Sequence, residues 1–166
     1  NLIKVILFME KENQSAQIIN YTPAHYEAFR KINIDWISDR YEVEDVDLLV
    51  LDNPDEHILK PGGHIFMAQY GDELVGTCSL TNEGNGVYEL TKMGVDKNYR
   101  GLKIGYLLGE ATVNKARELG AKKIILHSNR ENSAEAVELY KKLGFVEVPL
   151  GNVPWKRSNI KMEIEF

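Results

Sequence analysis

The apolar positions of this chain follow a helical period in some segments and a strand period in others, so they predict its elements. Apolar side chains recur every three or four residues after Thr22-Pro23, which predicts a helix over residues 23–38. Short apolar runs between turn residues predict strands. The predicted strands cover residues 17–21, 64–70, 74–80, 87–95, 123–128, 145–148 and 160–166, and further helices cover residues 43–51, 102–119 and 133–143.

The order of these elements is β-α-α-β-β-β-α-β-α-β-β, which predicts an α+β protein with three layers and a central mixed sheet. The chain has 166 residues, and no linker or internal repeat divides it. We therefore expect one domain over residues 16–166. Residues 1–15 are expected to form an N-terminal extension or an edge strand. Their apolar run, Asn1 to Phe8, is too short to span a bilayer and lacks the cleavage pattern of a signal peptide.

Composition narrows the function further. The formal net charge of -5 argues against nucleic acid as a partner, and nothing in the pattern predicts a membrane partner. The single cysteine, Cys78, excludes an internal disulfide and suits a reducing compartment, so we expect a cytoplasmic protein with Cys78 as a small core residue. The histidines and this cysteine lack metal-ligand spacing, so no metal is expected.

The segment from Val95 to Leu108 carries the strongest chemical signal. A predicted strand ends, the chain turns at Arg100-Gly101, and an amphipathic helix begins at once. Backbone N–H groups at a helix N-terminus, glycines that let a ligand approach and two nearby cations together suit phosphate. An ordinary strand-to-helix connection that uses glycine for packing is the alternative. The patterns of a P-loop and of a dinucleotide-binding loop are both missing.

Two motifs resemble those of a known family. Arg100-Gly-Leu-Lys-Ile-Gly105 is similar to the Arg/Gln-x-x-Gly-x-Gly/Ala motif of the GNAT superfamily, the acyl-CoA-dependent N-acyltransferases, and Leu139-Tyr-Lys-Lys-Leu-Gly-Phe145 resembles that family's second signature. The order of elements extends the resemblance over most of the chain. It implies a mostly antiparallel central sheet that is flanked by helices and has splayed central strands. Lys103 departs from the pattern, because the family usually has glycine there.

The resemblance also implies which residues bind acetyl-CoA. In the family, the pantetheine arm pairs with the free edge of the fourth strand, as an added strand would. The amide of Met93 is then a candidate donor to the thioester oxygen. Gly94 marks either a bulge that opens a slot for the ligand or a point of close packing. The implied acetyl-CoA ligands are Met93, Gly94, Val95, Arg100, Gly101, Leu102, Lys103, Ile104, Gly105, Tyr106 and Asn132.

Asn132 enters this set indirectly. The family often has an asparagine at the position of Ser133, where it contacts the coenzyme arm, and Asn132 is one residue earlier. Asn132 is therefore either a cofactor ligand or the N-cap of the following helix, with Glu135 completing a capping box.

The candidate catalytic residues are Glu89 and Tyr140. Glu89 corresponds to a general base in some family members, and strand alternation predicts that it shares a face with Met93. The alternatives are a structural carboxylate paired with Lys92 or an arginine, and His127 as the base. Tyr140 matches the family tyrosine that protonates the coenzyme A thiolate, although a core tyrosine would occupy the same helix face.

Together these residues predict an N-acetyltransferase that moves the acetyl group of acetyl-CoA directly to a primary amine of a small molecule or peptide. The alternative is a non-catalytic acyl-CoA binding or sensing domain, which would need neither Glu89 nor Tyr140. Since many relatives form dimers, the resemblance allows a homodimer.

The acceptor is less clear from the sequence. Acidic residues between Asp35 and Asp47 predict either attraction for a cationic amine or a solvated helix face. The segments Glu89–Met93 and Trp155–Met162 resemble a subset of the family that is sometimes fused to winged-helix regulators, which does not identify a substrate.

Overall fold

A computed structural model describes residues 1–12, 15–152 and 157–166 of the chain. Within them, seven strands form one sheet in the order β1-β2-β3-β4-β5-β7-β6. The strands are β1 (Gln17–Asn20), β2 (His64–Tyr70), β3 (Glu73–Gly84), β4 (Val87–Val95), β5 (Lys123–Ser128), β6 (Val146–Val148) and β7 (Ile160–Glu165). The helices are α1 (Leu2–Glu12), α2 (Tyr26–Ser38), α3 (Asp45–Asp52), α4 (Ile104–Glu118) and α5 (Ala134–Lys142). Short helical turns cover Pro23–His25, Asp55–Leu59 and Lys97–Tyr99.

The predicted α+β architecture and the order of elements from residue 17 onwards are confirmed, apart from the short helical turns Asp55–Leu59 and Lys97–Tyr99, which were not predicted. The sheet divides the core into two clusters. One packs beneath α4 around Leu108, Ile124 and Met162, and the other packs beneath α2 and α3 around Phe29 and Leu51.

Residues 1–15 were expected to form either an N-terminal extension or an edge strand. Leu2–Glu12 is a helix, so the alternative of an edge strand is wrong. Its Leu, Met, Lys and Glu residues are strong helix formers, which explains the difference. Side chains such as Leu2 and Ile3 are exposed. Residues 13 and 14, next to the predicted domain boundary, lie outside the described residues. No helix in the described part of the chain is both long and apolar enough to cross a membrane.

The central strands diverge, as the resemblance implies. β4 and β5 are parallel and pair only from Val87↔Lys123 to Glu89↔Ile125, whereas all other neighbouring strands are antiparallel. On its other side β4 stays paired with β3 as far as Val95. The second half of β4 therefore has backbone groups along one edge that β5 does not use.

A β-bulge lies in this half of β4. Gly94 is opposite Thr77 and Thr91 is opposite Ser79, so three steps along β4 match two along β3. The bulge is centred on Lys92, whose φ of 50° is left-handed, and not on Gly94. At Gly94 a Cβ atom would lie 3.3 Å from Ile32 Cγ2, which favours the close-packing alternative for this glycine.

The bulge also changes which way the side chains point. Leu90 and Met93 both pack against the core beneath α4, whereas Glu89 contacts His127 and lines a cavity beside α2. The prediction that Glu89 and Met93 share a face is therefore wrong, because the extra residue at Lys92 shifts the alternation by one position.

Candidate active site

Two cavities adjoin the free edge of β4. The larger has a volume of about 790 Å³ and lies between β4, the N-terminus of α4 and α5, and the smaller has a volume of about 110 Å³ and lies between α2, β4 and β5. The larger volume is within the range of small-molecule sites. Four residues line both cavities, namely Trp36, Met93, Ser133 and Tyr140. A ligand in one cavity would therefore meet a ligand in the other at these side chains.

The loop before α4 forms the floor of the larger cavity. Gly101 has a φ of 80°, and Lys103, the N-cap of α4, has a φ of 62°. Lys103 thus adopts the left-handed conformation that glycine adopts without strain, which explains how the loop retains its path although the family usually has glycine here. The helix macrodipole and the free N–H groups of the first turn of α4 favour an anion at this position.

Most of the residues predicted to bind acetyl-CoA line the larger cavity: Met93, Gly94, Val95, Arg100, Gly101, Lys103, Ile104, Gly105 and Tyr106. Leu102 does not, because its side chain packs against the core beneath α4. Gly105 has a packing role as well, since a Cβ atom there would lie 3.2 Å from Leu139 Cδ2 on α5.

Asn132 lies outside both cavities, whereas its neighbour Ser133 lines both. The backbone N–H of Asn132 donates to Asn129 Oδ1 at 2.9 Å, so Asn129 organises this loop. The predicted capping role of Asn132 is wrong, because Ser133 is the N-cap of α5 and Glu135 lies 3.8 Å from Arg40. The helix begins one residue later than a capping Asn132 would require.

Four cations and two carboxylates, those of Glu135 and Glu138, line the larger cavity, and this excess of positive charge suits a polyanionic ligand. Arg40, Arg100, Lys103 and Lys142 line it. The Arg40 guanidinium stacks 4.7 Å above the centre of the Trp36 ring, and its Nη1 is buried without a hydrogen-bond acceptor in the described part of the chain. Sequence reasoning missed Arg40, because no motif surrounds it.

Tyr140 is held at the boundary between the cavities by the end of its own helix. Gly144 has a φ of 103°, and the N–H of Phe145 donates to the carbonyl oxygen of Tyr140 at 3.0 Å, which closes the helix. The Phe145 ring then packs edge-on against Tyr140, with ring centres 5.9 Å apart. The Tyr140 hydroxyl donates to Met93 Sδ at 3.8 Å. Burial raises the pKa of this phenol, so Tyr140 stays protonated at neutral pH.

Glu89 and His127 form a pair on the wall of the smaller cavity. Glu89 Oε1 and His127 Nδ1 are 3.0 Å apart, and the two side chains are 14% and 8% exposed. The two candidate bases are therefore one hydrogen-bonded unit. Glu83, which the sequence did not single out, is close to this pair. Burial and the charge of Glu89 raise the pKa of Glu83, although a hydrogen bond from Thr81 opposes this.

Lys92 lies beside a buried carboxylate, that of Asp47. Asp47 is fully buried and accepts hydrogen bonds from Arg157 Nη2 at 2.5 Å, Lys92 Nζ at 3.4 Å and the backbone N–H of Glu44 at 2.9 Å. Burial alone would raise the pKa of the Asp47 carboxyl group, but these hydrogen bonds and charges lower it below its usual value.

The acidic segment before Asp47 is largely paired too. Asp35 lies 2.5 Å from Lys31, and Asp39 lies 3.9 Å from Arg100. These pairs weaken the expectation that the segment attracts a cationic amine. Within the C-terminal segment 155–162, residues 155 and 156 lie outside the described residues.

Comparisons with known proteins agree with this geometry. The chain is 32% identical over 104 residues to the mycothiol acetyltransferase of Geodermatophilus obscurus, a match that covers 59% of this chain and 33% of that protein. The chain therefore spans about a third of the length of that relative.

Solved structures resemble the whole fold. An acetyltransferase of the GNAT family from Staphylococcus aureus is similar with a TM-score of 0.82 and 25% identity, over 91% of this chain and 99% of that one. A spermidine N-acetyltransferase from Vibrio cholerae, solved in complex with CoA and spermine, is similar with a TM-score of 0.68 and 20% identity, over 91% and 95% of the two chains.

A family model described as acetyltransferase (GNAT) family matches residues 26–145, which include β4, the loop before α4 and the helix of Tyr140. This match covers well over half of the chain, and the sheet with diverging central strands is the one that the sequence motifs imply. The protein therefore belongs to the GNAT acetyltransferase family.

Proposed function

We propose that this protein transfers the acetyl group of acetyl-CoA directly to a primary amine of a small molecule or peptide. The observation that carries the proposal is the meeting of the two cavities at Met93 and Tyr140. The larger cavity, with its cations and helix N-terminus, would hold acetyl-CoA, and the smaller would hold the amine. The CoA and spermine named with the Vibrio cholerae structure support this assignment.

The pantetheine arm would lie along the free edge of β4, where Met93 to Val95 offer unpaired main-chain groups towards β5. The Met93 N–H would donate to the thioester oxygen and stabilise the negative charge that develops on it. Arg100, Lys103 and the first turn of α4 would bind the pyrophosphate.

The transfer needs a neutral amine and a protonated leaving group. The amine nitrogen attacks the thioester carbonyl carbon and forms the new C–N bond, while Glu89, oriented by His127, accepts a proton from nitrogen. The tetrahedral intermediate then collapses, the C–S bond breaks, and the Tyr140 hydroxyl gives its proton to the departing thiolate. Tyr140 has a proton to give because burial raises the pKa of its hydroxyl group, which keeps the phenol protonated at neutral pH.

The second candidate is a domain that binds acyl-CoA without catalysis. The pairing of Glu89 with His127 beside Tyr140 favours the enzyme, since binding alone needs none of the three. The test combines calorimetry of acetyl-CoA binding with an assay for free thiol across a panel of primary amines. Amine-dependent thiol release, with the acetylated amine detected by mass spectrometry, supports transfer. Tight acetyl-CoA binding without thiol release from any amine supports the binding domain instead.

A further inference from the structure

Lys92 and Arg157 contribute positive charge to the smaller cavity, and the proposed acetyl transfer assigns neither residue a role. Both residues line this cavity, and both bind the same buried carboxylate, Asp47. Asp47 therefore lies between both cations. The exposed Glu44 adds a further negative charge, but its Oε2 lies 3.9 Å from Arg157 Nη1, beyond hydrogen-bond distance.

The guanidinium of Arg157 is held by several contacts, and its Nη1 is buried without an acceptor among the described residues. Its Cζ lies 5.1 Å from the centre of the Tyr41 ring, and Asn129 Nδ2 donates to the Arg157 carbonyl oxygen at 2.9 Å. Nη2 donates to Asp47, whereas Nη1 is buried and donates no hydrogen bond within residues 1–12, 15–152 and 157–166. A buried donor without an acceptor is unfavourable, and a planar guanidinium is well suited to a carboxylate.

The same cavity also carries the proposed base. Glu89 with His127, and Tyr140 next to Met93, lie where the amine must meet the thioester. The lining of the cavity thus includes both a proton acceptor for an amine and a hydrogen-bond donor for an anion. Its volume of about 110 Å³ favours a compact acceptor.

Building on the proposed function, we propose that the acceptor is a small amine that also carries a carboxylate, such as an amino acid or a short peptide, and that Arg157 Nη1 binds this carboxylate. A polyamine offers no anion for Arg157 and would bring further positive charge towards Lys92 and Arg157. Arg157 is then a specificity-determining residue, and Asp47 positions it.

The test compares amines that differ only in this charge. Thiol release from acetyl-CoA is measured with amino acids and short peptides, with the methyl esters of the same compounds and with spermidine. We expect kcat/KM to be at least tenfold higher for each preferred acid than for its ester. The comparison is stringent, because esterification lowers the basicity of the neighbouring amine and would otherwise favour the ester.

Variants then assign the effect to one side chain. In Arg157→Gln and Arg157→Lys, the acid-to-ester ratio of kcat/KM is expected to fall towards one, mainly through a higher KM for the acid. A purely structural role would lower the rates for acid and ester alike and leave the ratio unchanged. Arg130→Gln is the matched control, since Arg130 is exposed, pairs with Glu147 and lies outside both cavities. Arg157→Lys keeps the charge beside Asp47 if the glutamine variant fails to fold.

The outcomes separate this inference from the function on which it rests. Equal kcat/KM for acids and esters, or a preference for spermidine, overturns the inference and leaves amine acetylation standing. An acid preference that survives in both Arg157 variants overturns the role of Arg157. If acetyl-CoA binds but no amine releases thiol, the proposed function fails and the inference fails with it.

Discussion

The hydroxyl group of Tyr140 lies 3.8 Å from the thioether sulfur of Met93, on the wall that the two cavities share. Met93 follows the bulge in β4, and without that bulge its side chain would point to the opposite face of the sheet. The bulge therefore brings the proposed donor to the thioester oxygen next to the proposed acid for the leaving sulfur.

Replacement of Tyr140 by phenylalanine should impair the chemical step and leave binding intact. The variant keeps the ring that packs against Phe145 and loses only the hydroxyl proton. General acid catalysis contributes about 10²–10⁴-fold to rates, so we expect kcat to fall at least about 100-fold. Thiol release measures the rate. Calorimetry should give an acetyl-CoA affinity within about threefold of that of the unaltered protein, because the hydroxyl group is proposed to act in the chemical step and not in substrate binding.

Tyr88→Phe is the control for this experiment. Tyr88 is on the same strand as Met93 but lines neither cavity, so loss of its hydroxyl should not change kcat. Unchanged turnover in Tyr140→Phe would mean that Tyr140 is a core residue and that another group protonates the thiolate.

Glu89 and His127 should act as one unit. Glu89→Gln is expected to lower kcat/KM at least about 100-fold, and His127→Gln to lower it less, because the histidine acts only through the carboxylate that it contacts. In the double variant the loss should be close to that of Glu89→Gln alone, since a second change cannot remove a contact that is already lost.

The measurement is a double-mutant cycle of kcat/KM, with thermal unfolding and acetyl-CoA affinity followed in parallel. Additive losses in the double variant would show that the two residues act independently. A larger loss in His127→Gln than in Glu89→Gln would make His127 the base.

Local sequence signals were sufficient for most of the fold and for the larger cavity. Strand β4 and strand β5 have the bounds that the pattern predicted, because turn residues flank apolar runs there. The loop before α4 is defined by residues close in sequence, so most of the residues that line the larger cavity there were predictable one by one. Gly144 and Phe145 likewise act on Tyr140 within one helical turn.

The smaller cavity was less predictable, because its contacts join residues that are far apart in the chain. Glu89 meets His127 across 38 positions, and Asp47 meets Arg157 across 110. No period or motif encodes such pairs. The bulge was also misplaced, since it depends on a left-handed Lys92, which local propensity disfavours. The sequence therefore indicated the carboxylate at Glu89 but not its partner.

The buried carboxylate of Asp47 should make stability depend on pH in the acid range. Its pKa is lower in the folded protein than in the unfolded chain, so its contribution is present above about pH 4 and is lost as the pH falls further. We expect Asp47→Asn to lower the free energy of unfolding by about 3 kcal/mol or more at pH 7, because Lys92 and Arg157 lose their shared partner.

Urea unfolding at pH 7 and pH 3 measures this effect. The difference in the free energy of unfolding between the unaltered protein and Asp47→Asn should be smaller at pH 3 than at pH 7. The matched control is Asp35→Asn, which removes an exposed pair with Lys31 and should cost less than about 1 kcal/mol. A difference that stays constant between the two pH values would show that the charge of Asp47 does not contribute.

Lys103 allows the conformation of the loop to be separated from its charge. Lys103→Gly and Lys103→Ala both remove the cation beside the larger cavity, so both should weaken acetyl-CoA binding by a similar factor, and less so at high salt. Only glycine relieves the left-handed φ of 62°. Since the strain costs a non-glycine residue about 1–2 kcal/mol and glycine loses about 0.5–1 kcal/mol of chain entropy, Lys103→Gly should be more stable than Lys103→Ala by about 0.5–1 kcal/mol.

Lys97→Gly and Lys97→Ala are the control, because there the stability difference between glycine and alanine should have the opposite sign. Lys97 lies in the helical turn before the loop and does not have a positive φ, so there alanine should be more stable than glycine. Calorimetric acetyl-CoA affinities and thermal unfolding of the four variants complete the test. If alanine is the more stable residue at position 103 as well, the left-handed turn is not required by the loop, and the motif's preference for glycine at this position must then come from close approach of the ligand.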